Sequence, residues 1–396
     1  MLMKKFLCLL LSFVTIVLCS CSAENKSETE ETTEYLENKA AVETTVETTV
    51  LDTYQEFLDG ITYLNFELGK QDSPTFIGRW FEKKINDVSH MVTLNAGSAL
   101  YFMTDGAKSV DVIFTNICEN EDPYFSYSID GADPIRQHVT EPSVVLPDEK
   151  MHTVIIYTDG IDENAGNKWA HEIGFAFKKI SVETGSVYGI KPKNKVIAYY
   201  GDSITEGVNA LSKGTNAESN SSTNAYSYFC SQELGAVTHN VGYGGSGVTK
   251  PGSFHTFINA VQYISKGRKV DKSFKPDVIV INHGTNDNAA DNDTVFINEL
   301  KEALECLIEK YPDTPIFYMI PFSQRSAGAI QKTIDTYFAD ADITVLETAS
   351  WKITKELGPE FLTDTLHPNA SGAKTAGVKL AAAIEAKLGE DFFKVG

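Results

Sequence analysis

The sequence predicts an α/β fold in which an all-β sandwich precedes a domain built on a parallel sheet. Two observations support this division. Residues 52–188 consist of short runs of β-forming residues separated by turn signals, which is typical of a β-sandwich or jelly roll. In residues 193–396, strand patterns alternate with helix patterns, which indicates a parallel sheet with helices on both faces.

The first 21 residues are predicted to be a secretory signal. Lys4 and Lys5 form a positive region, and the apolar run at 6–18 is too short for a confident membrane span. The following LCSC resembles the lipobox of bacterial lipoproteins, whose cysteine carries the lipid. This resemblance implies lipidation at Cys21 and a location on the extracellular face of the bacterial cell membrane. An ordinary signal peptide with a chance cysteine is the alternative.

Residues 22–51 follow this signal and are rich in Glu, Thr and Ser. Such a segment buries too little apolar surface to fold alone. We therefore expect a disordered tether that holds the folded part away from a membrane.

The predicted β-sandwich, residues 52–188, contains runs such as HMVTLN, ALYFMT and VDVIFTNI between turn signals such as NAG and TDGA. Its aromatic residues alternate as core positions do. Some of them could stack on a sugar ring, but a core role is favoured for most. They are Trp80, Phe81, Tyr124, Phe125, Tyr127, Phe175 and Phe177.

Four polar segments follow predicted strands or precede the last helix in residues 193–396. They are GDSITEG with Ser203, the glycine-dense NVGYGGSG at 240–247, GTND with Asn286, and DTLHP with Asp364 and His367. Parallel sheets bind ligands at the carboxyl ends of their strands, so we expect these segments to form one site.

These segments supply the groups that acyl transfer needs. A serine hydroxyl is a weak nucleophile, and His367 can act as its base while Asp364 orients the imidazole. The tetrahedral oxyanion needs fixed donors. A backbone N–H of the glycine loop, the amide of Asn286 and the N–H of Ser203 are candidates.

The four segments, in this order, resemble the blocks of the SGNH (GDSL) hydrolases. By position, the residues that name that family are Ser203, Gly245, Asn286 and His367, and Asp364 matches the aspartate of its DxxH element. The resemblance covers residues 196–396. It implies a flavodoxin-like three-layer α/β/α fold, a catalytic triad and an oxyanion hole formed by Ser203, Gly245 and Asn286.

The β-rich half before such a domain is similar to family two of the carbohydrate esterases, through GRWF, YFSYSIDG and WAHEIGFAF. This similarity implies a serine esterase that removes O-acetyl groups from polysaccharides such as xylan and glucomannan. Some relatives lack the triad acid, whereas Asp364 predicts a full triad here. The alternatives are a general lipase, thioesterase or arylesterase, and a non-catalytic carbohydrate-binding surface lipoprotein.

Composition limits the partners further. The formal net charge is −20, which argues against nucleic acid because phosphate binding needs clustered Lys and Arg. No CxxC or HExxH motif is present, and we expect no metal and no cofactor. The remaining cysteines, Cys118, Cys230 and Cys306, are predicted to be buried thiols.

Several other polar and aromatic residues invite a functional role but favour a structural one. Asp202 is predicted to bond the loop backbone, and Asp287 to cap the segment that follows it. His283 is predicted to be a packed residue rather than the base. Trp169 and Trp351 could stack on a sugar, although packing is favoured.

Overall fold

In the computed structural model, the described residues are 48–271 and 273–394. The predicted signal peptide, its Cys21 and the tether up to residue 47 lie outside these ranges. Residues 48–59 are helical and are labelled α1, so the last four residues assigned to a disordered tether belong to a helix. Within the described ranges, no helix combines the length and apolarity that crossing a membrane requires.

The β-rich part consists of two antiparallel sheets. The first contains β1 (Phe66–Gln71), β2 (Thr75–Ile77), β5 (Ala99–Asp105), β7 (Tyr124–Ile129), β8 (Ile135–His138), β10 (His152–Gly160) and β12 (Ser186–Pro192). The second contains β3 (Phe81–Ile85), β4 (Val88–Thr93), β6 (Ser109–Asn116), β9 (Ser143–Val145) and β11 (Phe175–Ser181). The strand orders are β1-β12-β5-β10-β7-β8, with β2 on β5, and β3-β4-β11-β6-β9.

The central strands of the first sheet are buried on both faces. Successive side chains of a strand point to opposite faces, so Val154 and Ile156 of β10 face the second sheet and its Phe177. Ile155 of the same strand packs on the other side, in a cluster that includes Leu58 of α1. The β-rich part therefore has one apolar core between its sheets and another beneath a helix.

The last strand of the β-rich part extends past the predicted domain end at residue 188. β12 runs to Pro192, and its register with β1 pairs Phe66 with Pro192. β12 therefore ends directly before residue 193, where the second domain is predicted to begin. Residues 54–396, which include both the β-rich part and the α/β part after it, form one compact unit.

The second part is built on a five-stranded parallel sheet, as predicted, with the strand order β14-β13-β17-β18-β19. Its strands are β13 (Val196–Gly201), β14 (Val237–Gly242), β17 (Val278–Asn282), β18 (Ile316–Met319) and β19 (Ile343–Leu346). A small antiparallel pair consists of β15 (Tyr263–Ser265) and β16 (Arg268–Lys269).

The described helices after α1 differ widely in length. They are α2 (Lys168–His171), α3 (Ser203–Glu206), α4 (Tyr226–Glu233), α5 (Phe257–Gln262), α6 (Thr294–Lys310), α7 (Ala327–Tyr337) and α8 (Ala370–Leu388). Short 3₁₀ turns occur at Ser222–Asn224, Ala349–Trp351 and Pro359–Phe361. Of these elements, α2 belongs to the β-rich part and the rest to the α/β part.

Both faces of the parallel sheet are covered by helices, which confirms the layered arrangement expected from the alternating pattern. Tyr200 of β13 packs into a cluster with α5, α6 and α7. Its neighbour Tyr199 points the other way, into a cluster with Cys230 of α4 and Leu380 of α8. The period of two along β13 thus builds a core on each side of the sheet.

The start of α8 places the last polar segment at the edge of the sheet. Asn369 is the N-cap of α8, and its side chain accepts a hydrogen bond from the Gly372 N–H at 2.9 Å. Gly377 lies against α4, where a Cβ would collide with the backbone of Cys230. This close packing fixes α8, and with it the loop that carries His367.

Candidate active site

Ser203 lies where strand β13 turns into α3. Asp202 is the N-cap of this helix, and its Oδ1 accepts the Ile204 N–H at 2.9 Å, which confirms its predicted bond to the loop backbone. Asp202 is buried, and that burial, together with the charge of Asp287, raises its pKa to about 7. A Cβ on Gly201 would collide with the Thr205 side chain, so the sharp turn needs glycine there.

The structure brings Ser203, His367 and Asp364 together. The His367 Nε2 atom is 2.9 Å from Ser203 Oγ, although 164 residues separate the two in the chain. The other ring nitrogen, Nδ1, is 2.8 Å from Asp364 Oδ2. The three side chains thus form the hydroxyl–imidazole–carboxylate sequence that activates a serine.

The Asp364 carboxylate is held in its ionised form. Burial raises its pKa, but hydrogen bonds from the His367 backbone and ring and from the Leu366 N–H outweigh that effect and bring it to about 2. The two backbone N–H groups each donate to Asp364 Oδ1 at 2.7 Å. A fixed anion at this position favours the Nδ1–H tautomer of the imidazole, which leaves Nε2 free to accept a proton.

Asn209 also contacts the triad, although no sequence motif indicates it. Its Nδ2 donates to Asp364 Oδ2 at 3.0 Å, and its Oδ1 accepts the Gly214 and Thr215 N–H groups at 3.0 and 2.8 Å. Its backbone is left-handed, with φ of 57°. That conformation favours Asn and predicts a turn, but it does not indicate a partner for a carboxylate 155 residues away.

The three predicted oxyanion donors differ in whether they already donate a hydrogen bond within the protein. The N–H groups of Ser203 and Gly245 have no hydrogen-bond partner among the described residues. The Asn286 Nδ2 donates to the Ser246 carbonyl at 2.9 Å and lies 3.4 Å from Asp202 Oδ2. Asn286 therefore lies against the glycine loop and is already partly engaged there.

Two carboxylates hold the glycine loop. The Glu206 Oε2 atom accepts the Gly244 N–H at 2.6 Å, and Asp287 accepts the Val248 and Thr249 N–H groups at 2.9 and 2.7 Å. Asp287 is structural, as predicted, but the predicted partner was wrong. It braces the loop after β14, because β14 and β17 flank β13 and end at the same edge of the sheet.

The remaining histidine and tryptophan candidates are packing residues. His283 is buried with its ring centroid 4.7 Å from that of Phe257, and burial lowers its pKa to about 4. Trp169 packs edge-on against Phe254 with ring centroids 4.8 Å apart, and Trp351 packs in a tilted arrangement against Phe322 at 6.0 Å. These contacts support the structural roles favoured for all three residues.

A polar cleft of about 260 Å³ opens beside the histidine loop. Thr365 and Leu366, which lie between Asp364 and His367, form part of its lining. The other lining residues are Ser323, Arg325, Ile353, Thr354, Lys355, Glu356 and Leu362. The cleft therefore offers hydroxyl, guanidinium, ammonium and carboxylate groups beside the loop that carries His367.

Three cysteines lie among the described residues. Cys118, Cys230 and Cys306 are free, with Cys230 buried and the other two half-buried. Burial raises the thiol pKa of Cys118 and of Cys230 to about 12. Over the described ranges, no three His, Cys, Asp or Glu side chains cluster as metal ligands would.

The fold of both parts is shared with known enzymes. A family two carbohydrate esterase from Clostridium thermocellum, solved in complex with cellohexaose, matches with a TM-score of 0.62 and 18% identity, over 80% of this chain and 100% of that one. An acetyl xylan esterase from the rumen bacterium Butyrivibrio proteoclasticus matches with a TM-score of 0.61 and 17% identity, over 83% and 100% of the two chains.

A third match is named for a different activity. A salicylyl-acyltransferase from a tetracycline biosynthetic pathway aligns with a TM-score of 0.56 and 14% identity, over 83% of this chain and all 100% of its own. At these identities the likeness establishes the fold, including the β-rich part. A search of curated protein sequences finds no significant match.

Fold and site together define the class of the protein, which is a carboxylic ester hydrolase. Residues 199–375 match the model of the GDSL-like lipase/acylhydrolase family. The matched range includes Ser203, Gly245, Asn286, Asp364 and His367. The recognition made from the four sequence blocks is thereby confirmed.

Proposed function

We propose that the protein is a serine esterase that removes O-acetyl groups from carbohydrates. The observation that carries this proposal is the 2.9 Å contact between Ser203 Oγ and His367 Nε2, with Asp364 behind the imidazole. Ser203 is the nucleophile, His367 is the general base and Asp364 orients the imidazole. The two unengaged N–H groups, with the Asn286 amide, form the oxyanion hole.

In the first half-reaction, His367 Nε2 takes the hydroxyl proton while Ser203 Oγ attacks the acetyl carbonyl carbon. The carbonyl oxygen becomes an oxyanion and receives hydrogen bonds from the N–H groups of Ser203 and Gly245 and from the Asn286 amide. The bond between this carbon and the sugar oxygen then breaks. The sugar leaves as an alcohol with the proton returned by His367, and the acetyl group stays on Ser203.

In the second half-reaction, water replaces the sugar. His367 takes a proton from the water, whose oxygen attacks the acetyl-serine carbonyl, and the same donors stabilise the second oxyanion. Acetate leaves, and Ser203 recovers its proton from His367. These steps need only the chain's own groups and water.

A carbohydrate is the favoured alcohol for two reasons. The cleft beside the histidine loop is lined largely by polar side chains, which suit sugar hydroxyls better than a long acyl chain. The matched esterase from Clostridium thermocellum was solved with cellohexaose, and another match is an acetyl xylan esterase. The acyltransferase match shows that this fold also accepts other chemistry, so the alcohol needs a direct test.

The test measures acetate release from acetylated xylan, glucomannan, pectin and peptidoglycan by the parent and by Ser203→Ala. We expect release from xylan or glucomannan that falls by at least about 10³-fold in the variant, as loss of a nucleophile does. On p-nitrophenyl esters, acetyl should be preferred over octanoyl. A preference for octanoyl would favour a lipase, and unchanged turnover by Ser203→Ala would overturn the mechanism.

We also propose that the protein is a lipoprotein anchored through Cys21 on the extracellular face of the cell membrane. The support is the short apolar run after Lys4 and Lys5, followed by LCSC. Replacement of the cysteine by serine should move the protein from the membrane fraction to the soluble fraction and abolish its labelling by a fatty-acid analogue. Unchanged labelling of that variant would exclude this anchor.

A further inference from the structure

A lysine of the β-rich part contacts the helix that begins at Ser203. The connection between β10 and β11, residues 161–174, carries Lys168, whose side chain is only 1% exposed. Its ammonium group pairs with Glu206 Oε1 and lies 3.6 Å from Glu163 Oε1. Lys168 and Glu163 belong to the β-rich part, whereas Glu206 ends the helix that Ser203 begins.

Glu206 transmits this contact to the oxyanion hole. Its second oxygen, Oε2, accepts the Gly244 N–H at 2.6 Å, and Gly244 directly precedes Gly245. The Glu163 carboxylate also lies against Gly244, so closely that any Cβ there would collide with it. Polar contacts thus link the β10–β11 connection to Gly244, which directly precedes Gly245 and its free N–H.

The same connection also supports the loop through aromatic packing. Trp169 packs edge-on against Phe254 at 4.8 Å, and Phe254 stacks on Tyr243 at 4.1 Å. Tyr243 is the residue before Gly244. The loop is therefore held by an apolar contact and by charges, and only the charges can respond to pH.

The charges of the group are unequal, since two carboxylates share one ammonium. When Glu163 is protonated, the positive charge of Lys168 and the negative charge of Glu206 cancel. With Glu163 ionised, a net negative charge lies against Gly244, beside the position where the oxyanion forms. Such a charge opposes the developing negative charge of the transition state, and it does so in a site that excludes much of the water.

We propose that Lys168, Glu163 and Glu206 form a charge-balanced support for the oxyanion loop, and that ionisation of Glu163 weakens catalysis. All three are positioning residues, because they act through Gly244 and Gly245 and do not touch the substrate. The inference rests on the proposed esterase function and assigns the β-rich part a role in it.

The ionisation of Glu163 falls in a measurable range. Burial and then the charge of Glu206 raise the pKa of Glu163 to about 8, against the opposing effect of Lys168. The side chain remains 16% exposed, so it can exchange protons with solvent. Tyr243 and Cys118 face Lys168 from other elements. Burial raises the pKa of both side chains, so both stay neutral near pH 8.

The decisive experiment compares the pH profiles of Glu163→Gln and a matched control. Glu172→Gln is the control, because Glu172 belongs to the same connection and also contacts the α/β part, through Ser265 and Arg268, at 2.8 and 3.1 Å. We measure kcat and KM on p-nitrophenyl acetate between pH 6 and 10, with the spontaneous hydrolysis subtracted.

The parent and Glu172→Gln should lose kcat as pH rises through about 8, by about tenfold. This is less than the roughly 10²- to 10³-fold cost of losing one oxyanion donor, because the donor is weakened and not removed. Glu163→Gln should match the parent at pH 6 to 7 and keep that activity at pH 9.5. A merely structural role would leave the shape of the profile unchanged. An alkaline decline in Glu163→Gln equal to that of the parent would overturn the inference.

Lys168→Met provides a second measurement. It removes the balancing cation, so we expect kcat to fall about 10- to 100-fold with KM within about twofold, because the oxyanion donors act mainly in the transition state. Lys168→Met with parental kcat, and a thermal unfolding curve showing that it is folded, would contradict the inference. If this variant fails to fold, the Glu163→Gln profile still decides.

Failure of the inference is distinguishable from failure of the proposed function. Ser203→Ala tests the esterase mechanism alone, and retained turnover in that variant would remove the basis of both. Loss of turnover in Ser203→Ala, combined with a parental pH profile in Glu163→Gln, would reject only the role of the β10–β11 connection.

Discussion

At the scale of single residues, the Asp364 carboxylate is the most heavily constrained group in the site. One oxygen accepts two backbone N–H groups, and the other accepts the imidazole Nδ1–H and the Asn209 amide. Asn209 is the only one of these donors that comes from a distant segment. It therefore ties the histidine loop to the segment that follows Ser203.

Asn209→Asp should lower kcat by at least about tenfold, since a hydrogen bond to a charged group is worth roughly 1.5–3 kcal/mol. The variant keeps the left-handed backbone and the oxygen that accepts the Gly214 and Thr215 N–H groups, and replaces only the donor by a like charge. The measurement is kcat and KM on p-nitrophenyl acetate at pH 7.

Asn209→Gly is the companion variant, because glycine also adopts the left-handed backbone but offers neither donor nor acceptor. We expect a smaller loss of kcat than in Asn209→Asp, since no repulsion of Asp364 is added. Parental kcat in Asn209→Asp would show that the 3.0 Å contact does not position the carboxylate.

At the scale of elements, the turn from β13 into α3 carries a buried carboxyl group whose state depends on pH. The pKa of Asp202 is about 7 in the fold, against about 3.9 for an unfolded chain. A group with a raised pKa stabilises the fold at low pH, and that stabilisation is lost as pH rises from about 4 through 7.

Asp202→Asn should therefore raise the free energy of unfolding above that of the parent at pH 8. At pH 4 the difference between the two proteins should be smaller. The amide oxygen can still accept the Ile204 N–H, so the N-cap survives. Urea unfolding of both proteins at the two pH values measures the difference. If the variant and the parent differed in unfolding free energy by the same amount at pH 4 and pH 8, the pKa of Asp202 would not be raised in the folded protein.

The elements of the parallel sheet were predictable because their strands and helices have distinct periods and clear caps. The Asp293 N-cap of α6 and the glycine after α4 are local signals of this kind. β12 extends past the predicted end of the β-sandwich at residue 188, because this strand forms through pairing with the distant strands β1 and β5. α1 was missed because residues 48–51 continue a polar segment by composition alone.

The same distinction holds for the candidate site. The sequence blocks placed Ser203, Asn286, Asp364 and His367, since each lies in a short motif beside a strand end or a helix start. Asn209, Lys168 and Glu163 could not be found in this way. Their partners lie tens of residues or more away in the chain, and no local pattern distinguishes a buried lysine from an exposed one.

At the scale of the whole molecule, buried polar groups join the β-rich part to the α/β part. Asp159 of β10 is fully buried, pairs with Arg136 at 2.8 Å, and accepts the Ser221 hydroxyl and the Thr223 N–H at 2.9 Å each. Arg79, also buried, donates to the Ala260 carbonyl at 2.6 Å. Each side of the boundary therefore satisfies polar groups that belong to the other.

Asp159→Ala should destabilise the protein by about 3–5 kcal/mol, since it leaves the Arg136 guanidinium and several buried donors without their acceptor. The exposed pair of Lys108 and Glu149 provides the control, and Glu149→Gln should change stability by less than about 1 kcal/mol. Chemical unfolding followed by fluorescence measures both. Equal, small changes would mean that the boundary contributes little to stability.

The interlocking of Arg79 and Asp159 with the other part has a consequence for protein engineering. A cut near residue 193 would leave charged and hydrogen-bonding groups unsatisfied on both fragments, so neither half is a portable module. Grafting this activity onto another scaffold would require residues 54–396 to be transplanted as one block. Chimeras between relatives should likewise tolerate crossovers outside that block better than crossovers at the junction.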